Sequence, residues 1–439
     1  MDNNQEGRQA TADEDWIKIE IVKEGALASI TKDMDAELNW LNESAGQNSC
    51  SIFRVPHEAC RPRIVSIGPY HHGEPKLQRL QEHKRRYLRT MLSRTQPNGV
   101  SLEDLIDTLV LKVKMIRQCY LESTNNFNES DLVKMMVLDG CFIIEFFRQK
   151  VGCIQSDNIL PNDSYTNVSL VQDLLRLESQ VPYFVLEDLF EKTNVPKKEE
   201  TSFTILALKF FDGIMERSYR LSERDSNRKT EHLLDLLYLT FIPERRQCMG
   251  PTEESSSSEL LGSASKLNQA GIAFVQSQAT LLEIKFDFKR GIMQIPKLTI
   301  NDTLQCILHN MVAFERCFVD CDDCVTAYAM FMGFLIDTAD DARLLCDRGV
   351  MWINGVSKEG VASFFRDVSK DIIWDLSGSY LVSEIAEVKK YVKYQQICVF
   401  LARLIYIPCR YTWSTIAAIV MLIGAIQTVY TVLQFYQHK

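Results

Sequence analysis

WSTIAAIVMLIGAIQTVYTVLQF (residues 413–435) contains no Asp, Glu, Lys or Arg, and the charge-free stretch extends from Tyr411 to Gln437. At ~1.5 Å rise per residue this run forms roughly 34 Å of helix, enough for a bilayer core. Trp413 at one end and Phe435 at the other suit the aromatic belts of a membrane interface. Gln427, near mid-span, is the polar exception, placed to hydrogen-bond a partner helix or its own backbone. The reading is a transmembrane helix over 411–436, followed by a short tail, 437–439. Upstream, Lys389, Lys390, Lys393, Arg403 and Arg410 fall between Val388 and Thr412 with no acid among them. Such a basic flank favours the cytosolic side. The apolar segment ICVFLARLIYIP (397–408) is expected to end at Pro408 before the span begins, and either to lie along the membrane or to dock on the rest of the protein.

Outward from that run, the chain of 439 residues reads as globular: 46% hydrophobic and 24% charged, enough apolar material for a large core. The net charge of -9 argues against general nucleic-acid binding. Residues 1–15 are polar and acidic and are expected to be disordered. They hold no apolar signal-peptide core, and Asp2 stands where myristoylation needs glycine. A single anchor at the C-terminal end then predicts a tail-anchored protein, its large domain (16–410) in the cytosol at the plasma membrane or an endomembrane. The 13 cysteines are an odd number, and several lie in apolar runs, which predicts buried reduced thiols.

Apolar residues recur at three and four positions over about 101–121, 130–150, 168–191, 202–220, 231–241, 301–320, 324–348, 358–370 and 379–407, which predicts helices there. Leu102, Leu105, Ile106, Leu109, Val113 and Ile116 share one face, and Ser101 with Asp104 makes a helix start. LLEIKF (281–286) and IMQIPKL (292–298) flank DFKRG and predict a β-hairpin with Gly291 in its turn. PTEESSSSE (251–259) marks a flexible linker near 249–259. The expected fold is mainly α: a large helical domain with a small β-hairpin and one C-terminal transmembrane helix.

Several blocks together resemble one family. They are SIFRVPHEACRPRIVSIGPYHHGEPKLQRLQEHKRRYL (51–88), MMVLDGCFIIEFF (135–147), LLRLESQVPYFVLEDL (174–189), ELLGSASKLNQAGIAF (259–274), IPKLTINDTLQCILHNMVAFERC (295–317) and GFLIDTADDARLLCDRGVMWIN (333–354). In order and spacing they are similar to the plant-specific "domain of unknown function 247" family, from about residue 50 to 436. One departure stands out: Ser179 occupies a position where the family usually has Asn, in Glu178-Ser179-Gln180-Val181-Pro182. The resemblance implies a land-plant protein with a single membrane span and no established catalytic activity. It also brings an association of some grass members with pollen-side self-incompatibility.

Candidate chemistry is sparse. Cys317, Cys321 and Cys324 have the spacing of a radical iron–sulfur motif, but no α/β barrel surrounds them. His57, His71, His72 and His83 cluster near Cys60, although adjacent histidines cannot readily bind one ion. Asp139, Glu145 and Glu178 sit in apolar segments, as buried acids or as packing anchors. No P-loop, G-x-S-x-G, H-E-x-x-H or kinase motif occurs. No catalytic residue, metal ligand or cofactor is assigned. Between Arg54 and Arg94, ten Lys/Arg face three Glu, a local +7 that leaves -16 for the remainder. Arg61, Arg63, Lys84, Arg85, Arg86 and Arg89 are therefore the expected surface for an anionic partner, an acidic protein or lipid headgroups.

The leading expectation is a non-enzymatic, membrane-anchored interaction or signalling protein, with the bilayer and unidentified proteins as partners. Two alternatives stand beside it. One is a membrane-face enzyme with Asp139, Glu145, Glu178 or the histidines converging on one pocket. The other is an extracellular recognition protein, for which Asn42, Asn128, Asn162, Asn167 and Asn301 begin glycosylation sequons.

Overall fold

The computed structural model describes residues 50–437, apart from 56–59, 155–158, 161–163, 195–201, 216–228, 243–261, 319–320, 322 and 371–378. The disordered N-terminus, His57 and the 249–259 linker expected from sequence lie outside these residues. In chain order the first half holds α1 (Gln81–Thr95), α2 (Leu102–Val110), α3 (Val113–Gln118), α4 (Glu129–Val151), α5 (Ser164–Leu174), α6 (Tyr183–Thr193), α7 (Phe203–Met215) and α8 (Leu233–Phe241). The second half holds α9 (Ala264–Gln269), β1 (Ala273–Ser277), β2 (Lys285–Asp287), β3 (Ile292–Pro296), β4 (Leu298–Ile300), α10 (Asp302–Cys317), α11 (Cys324–Leu335), α12 (Ala339–Asp347), β5 (Met351–Ile353), α13 (Lys358–Ser369) and α14 (Val382–Gln437). The fold is mainly α.

α4 is apolar on nearly every face, so it must be enclosed. α1, α2, α6 and α7 pack around it. Asn128 starts it by accepting the Asp131 N–H, and Gly152 ends it at φ +85°. A Cβ at Gly140 would lie 2.5 Å from Leu189 Cδ1, so the bare glycine lets α6 cross α4 closely. The expected start at Ser101 is a capping box with Asp104.

The anticipated hairpin is present, with β2 antiparallel to β3 and Gly291 in its turn at φ +65°. There is more sheet than expected: β1 adds in parallel to β3 to make three strands, and β4 and β5 pair in parallel as a separate two-stranded sheet. Three long helices expected from periodicity are each broken. The 101–121 run divides between α2 and α3, 168–191 divides at the 177–179 turn before Pro182, and 324–348 divides at Ile336. At the second and third breaks the apolar spacing continues because connecting residues are also buried, as Val181 and Ile336 show, whereas at the first the apolar Leu111 is exposed.

α14 overturns another expectation: it continues without a break through Pro408. A proline inside a helix removes one backbone bond, a defect that long apolar helices tolerate. Among the described residues, Ser414–Thr431 is the segment long and apolar enough to cross a membrane, and none of it is buried against the rest of the protein.

Candidate functional site

The described residues of 51–74 have little regular structure, so their backbone groups need partners elsewhere. Buried carboxylates supply them. Asp173, at the end of α5, accepts N–H bonds from Arg63, Ile64 and Val65 at 2.7–3.0 Å and faces Arg176 Nε at 3.0 Å. Burial pushes its carboxyl above the usual range, while the three N–H donors and Arg176 pull it back. Asp139 of α4 accepts the Gly68 N–H at 2.9 Å and pairs with Lys84 Nζ at 2.5 Å. Lys84 also donates to the Ser66 carbonyl. Glu178 accepts the Val55 N–H at 2.6 Å and meets His71 Nε2 at 2.5 Å, while His71 Nδ1 faces Glu74 at 2.6 Å. Each ring nitrogen of His71 therefore faces a carboxylate oxygen. The bond from His71 is the main reason that the Glu74 carboxyl lies below its ordinary range.

Gly68 is where three of the sequence blocks meet. Its φ is +70°, and a Cβ there would lie 2.8 Å from the Gln180 carbonyl oxygen. Only glycine fits both the left-handed backbone and that approach. Gly68 belongs to VSIGPYHHG, Asp139 to LDGCF and Gln180 to LESQVPYF. Tyr120 Oη donates to the same Gln180 carbonyl at 3.0 Å, and the Gln180 amide donates to the Leu174 and Arg176 carbonyls. The distinctive residues thus hold one another in a buried polar lattice.

Of the three carboxylates singled out from sequence, Asp139 and Glu178 face this lattice. Glu145 lies apart, held by Arg94 at 3.0 Å and Arg148 at 3.4 Å. His83 is separate, its Nδ1 2.8 Å from the Ile159 carbonyl, and His72 is exposed. Cys60 is buried, and desolvation raises its thiol to about 12, which favours the protonated, weakly nucleophilic form at neutral pH. Cys317 is exposed and Cys324 buried. Among the described residues, no group of three His, Cys, Asp or Glu side chains is arranged to hold a metal ion.

The basic surface needs one correction. Lys84 is 1% exposed and belongs to the core, where Asp139 neutralises it. It shares a helical face with Leu80, Tyr87 and Met91, a spacing that carries the signal in the sequence. Arg61, Arg63, Arg85, Arg86 and Arg89 are exposed, as are Lys76 and Arg79. Glu82 pairs with Arg85 and Arg86 at 3.7 and 3.6 Å in water, where such contacts contribute little. Gln427 is exposed on α14, and Trp413 and Phe435 lie within its helical backbone.

A large helical domain knit by a buried charge lattice and ending in a long apolar helix defines the structural class. The model of the family described as "Plant protein of unknown function" (domain of unknown function 247) matches residues 49–426, and the chain belongs to that family. It is similar to two Arabidopsis thaliana proteins. "UPF0481 protein At3g47200" is 32% identical, over 80% of this chain and 79% of that protein. "Putative UPF0481 protein At3g02645" is 22% identical, over 83% of this chain and 85% of that protein. No solved structure matches the chain.

Proposed function

We propose that this plant protein is a membrane-anchored interaction protein, not an enzyme, held by the 411–436 helix with its domain in the cytosol. The observation that carries this reading is the contrast between matched and unmatched charge. Asp139, Asp173, Glu145 and Glu178 are all engaged with cations or backbone donors inside the domain, in the manner of packing anchors. Between Arg54 and Arg94 the exposed cations are Arg54, Arg61, Arg63, Lys76, Arg79, Arg85, Arg86 and Arg89, against the single exposed acid Glu82 among the described residues, an excess suited to an acidic protein partner. The described cysteines are free, which suits a reducing compartment. Asn128 and Asn301, two of the sequon residues, accept N–H bonds as helix caps.

The test is expression of the tagged full-length chain in plant cells beside a form ending at Arg410. The full chain should stay in carbonate-washed membranes, with its N-terminal tag digested by protease on sealed vesicles, and the shortened form should be released. Proximity labelling should then recover a set of proteins that is lost with Arg85→Glu, Arg86→Glu and Arg89→Glu together. A protected, glycosylated domain would reverse the orientation and make cell-surface recognition the better reading. An unchanged labelling set would remove the basic face from it.

A further inference from the structure

We infer that the part of α14 before the span is a second membrane contact, lying in the headgroup layer of an anionic bilayer. This inference rests on the anchoring proposed above. α14 starts out firmly docked: Val382, Ile385, Val388 and Tyr391 are buried. Glu384 accepts the Phe286 N–H at 2.8 Å, and the Tyr391 ring meets Phe286 and Phe288 edge-on at 5.6 Å. Past Tyr391 the cover ends. Tyr394, Ile397, Val399, Phe400 and Leu401 are 51–62% exposed, so the domain does not receive them.

Length shows that the span cannot receive them either. From Tyr394 to Phe435 the helix is roughly 60 Å long at ~1.5 Å per residue, twice the ~30 Å hydrocarbon core. Two covers remain, a second copy of the helix or the bilayer surface. Charge decides between them. Lys389, Lys390, Lys393, Arg403 and Arg410 share this stretch, with no acid between Val388 and Thr412. Parallel copies would place these cations against their own equivalents, whereas an anionic leaflet complements them. An apolar helix with basic residues, continuous with a span, is the kind that settles at the headgroup boundary. Pro408 lies between the two arms, where its missing N–H gives the helix a place to bend.

The test uses the full-length chain in vesicles of mixed phosphatidylcholine and phosphatidylserine. A photo-reactive phenylalanine analogue is placed at position 400 or at position 416. Lipid adducts at both positions are expected. In pure phosphatidylcholine, or with Lys389→Glu, Lys390→Glu and Lys393→Glu, the adduct at 400 should fall about tenfold while that at 416 is unchanged. A lipid adduct at 416 with a dimer-sized protein adduct, or no adduct, at 400 would overturn the inference and leave the anchor intact. No lipid adduct at 416 would defeat the anchor itself. Equal yields at 400 on both lipid mixtures would remove anionic lipid as the partner.

Discussion

The buried lattice around Gly68 and the long C-terminal helix treat charged and apolar groups in opposite ways. Around Gly68 the buried ionisable groups named above have partners: Lys84 with Asp139, Arg176 with Asp173, His71 with Glu74 and Glu178. Along α14 after Tyr391, apolar side chains stay uncovered and the basic residues have no acidic neighbour in sequence. The first arrangement is closed and the second open, so specificity of fold resides in one and the proposed attachment in the other. Closed networks are sensitive to the loss of one member, because the partner is left buried and charged. Open surfaces tolerate substitution until their partner is present.

The largest effect is expected from Asp139→Ala, which strands Lys84 in the core. It should cost about 3–5 kcal/mol in urea unfolding, against an unmoved midpoint for Arg85→Ala. A similar midpoint for the two would break the comparison. Glu315 of α10 offers a sharper contrast, because its carboxylate is held by neutral donors. Val325 N–H, Thr326 N–H and the Thr326 hydroxyl reach it at 2.6–2.8 Å. Burial outweighs those bonds and raises its pKa from 4.5 to about 7. The folded state therefore keeps a proton that the unfolded chain has released. The resulting stabilisation is complete below pH 4.5, declines as pH rises through about 7, and is at most about 3 kcal/mol. Glu315→Gln should flatten that slope in unfolding measured from pH 5 to 8, and an unchanged slope would assign it to another group.

Gly68→Ala comes next, at about 2 kcal/mol, from left-handed backbone strain plus the approach to the Gln180 carbonyl. Thermal unfolding reads it, and a neutral result would show that the 65–74 turn can shift. The smallest effect is at Ser179, whose buried hydroxyl has no hydrogen-bond partner in the structure. Ser179→Ala should be neutral or stabilising by about 1 kcal/mol, since it removes an unsatisfied group. A marked loss of stability would mean that the hydroxyl is bonded.

Helical content was legible because α4, α10 and α13 carry long periodic apolar faces and side-chain caps such as Asn128, Asn301 and Ser357. The breaks were not, because Val181 and Ile336 are as apolar as the helices they separate. β1, β4 and β5 escaped notice because they are short and pair in parallel with distant strands, so no local turn announces them. Asp139, Glu145 and Glu178 stood out as acids in apolar surroundings, but their partners come from far along the chain. Lys84 was readable in principle, on the Leu80–Tyr87–Met91 face, but the charge count around it drew it to the surface instead.

The docking of α14 has a geometric consequence. A helix fixed at Tyr391 and continuous to Ser414 is a shaft, and the number of residues between those points sets its phase. Each residue turns the shaft by ~100°. With that arm in the headgroup layer, as inferred above, one residue inserted between Tyr391 and Pro408 would roll the domain by about 100° about an axis in the membrane plane, turning Arg85 and Arg89 to another inclination against the lipid without altering a single contact inside the domain. Partner geometry on a crowded membrane would then be encoded in the length of the connector.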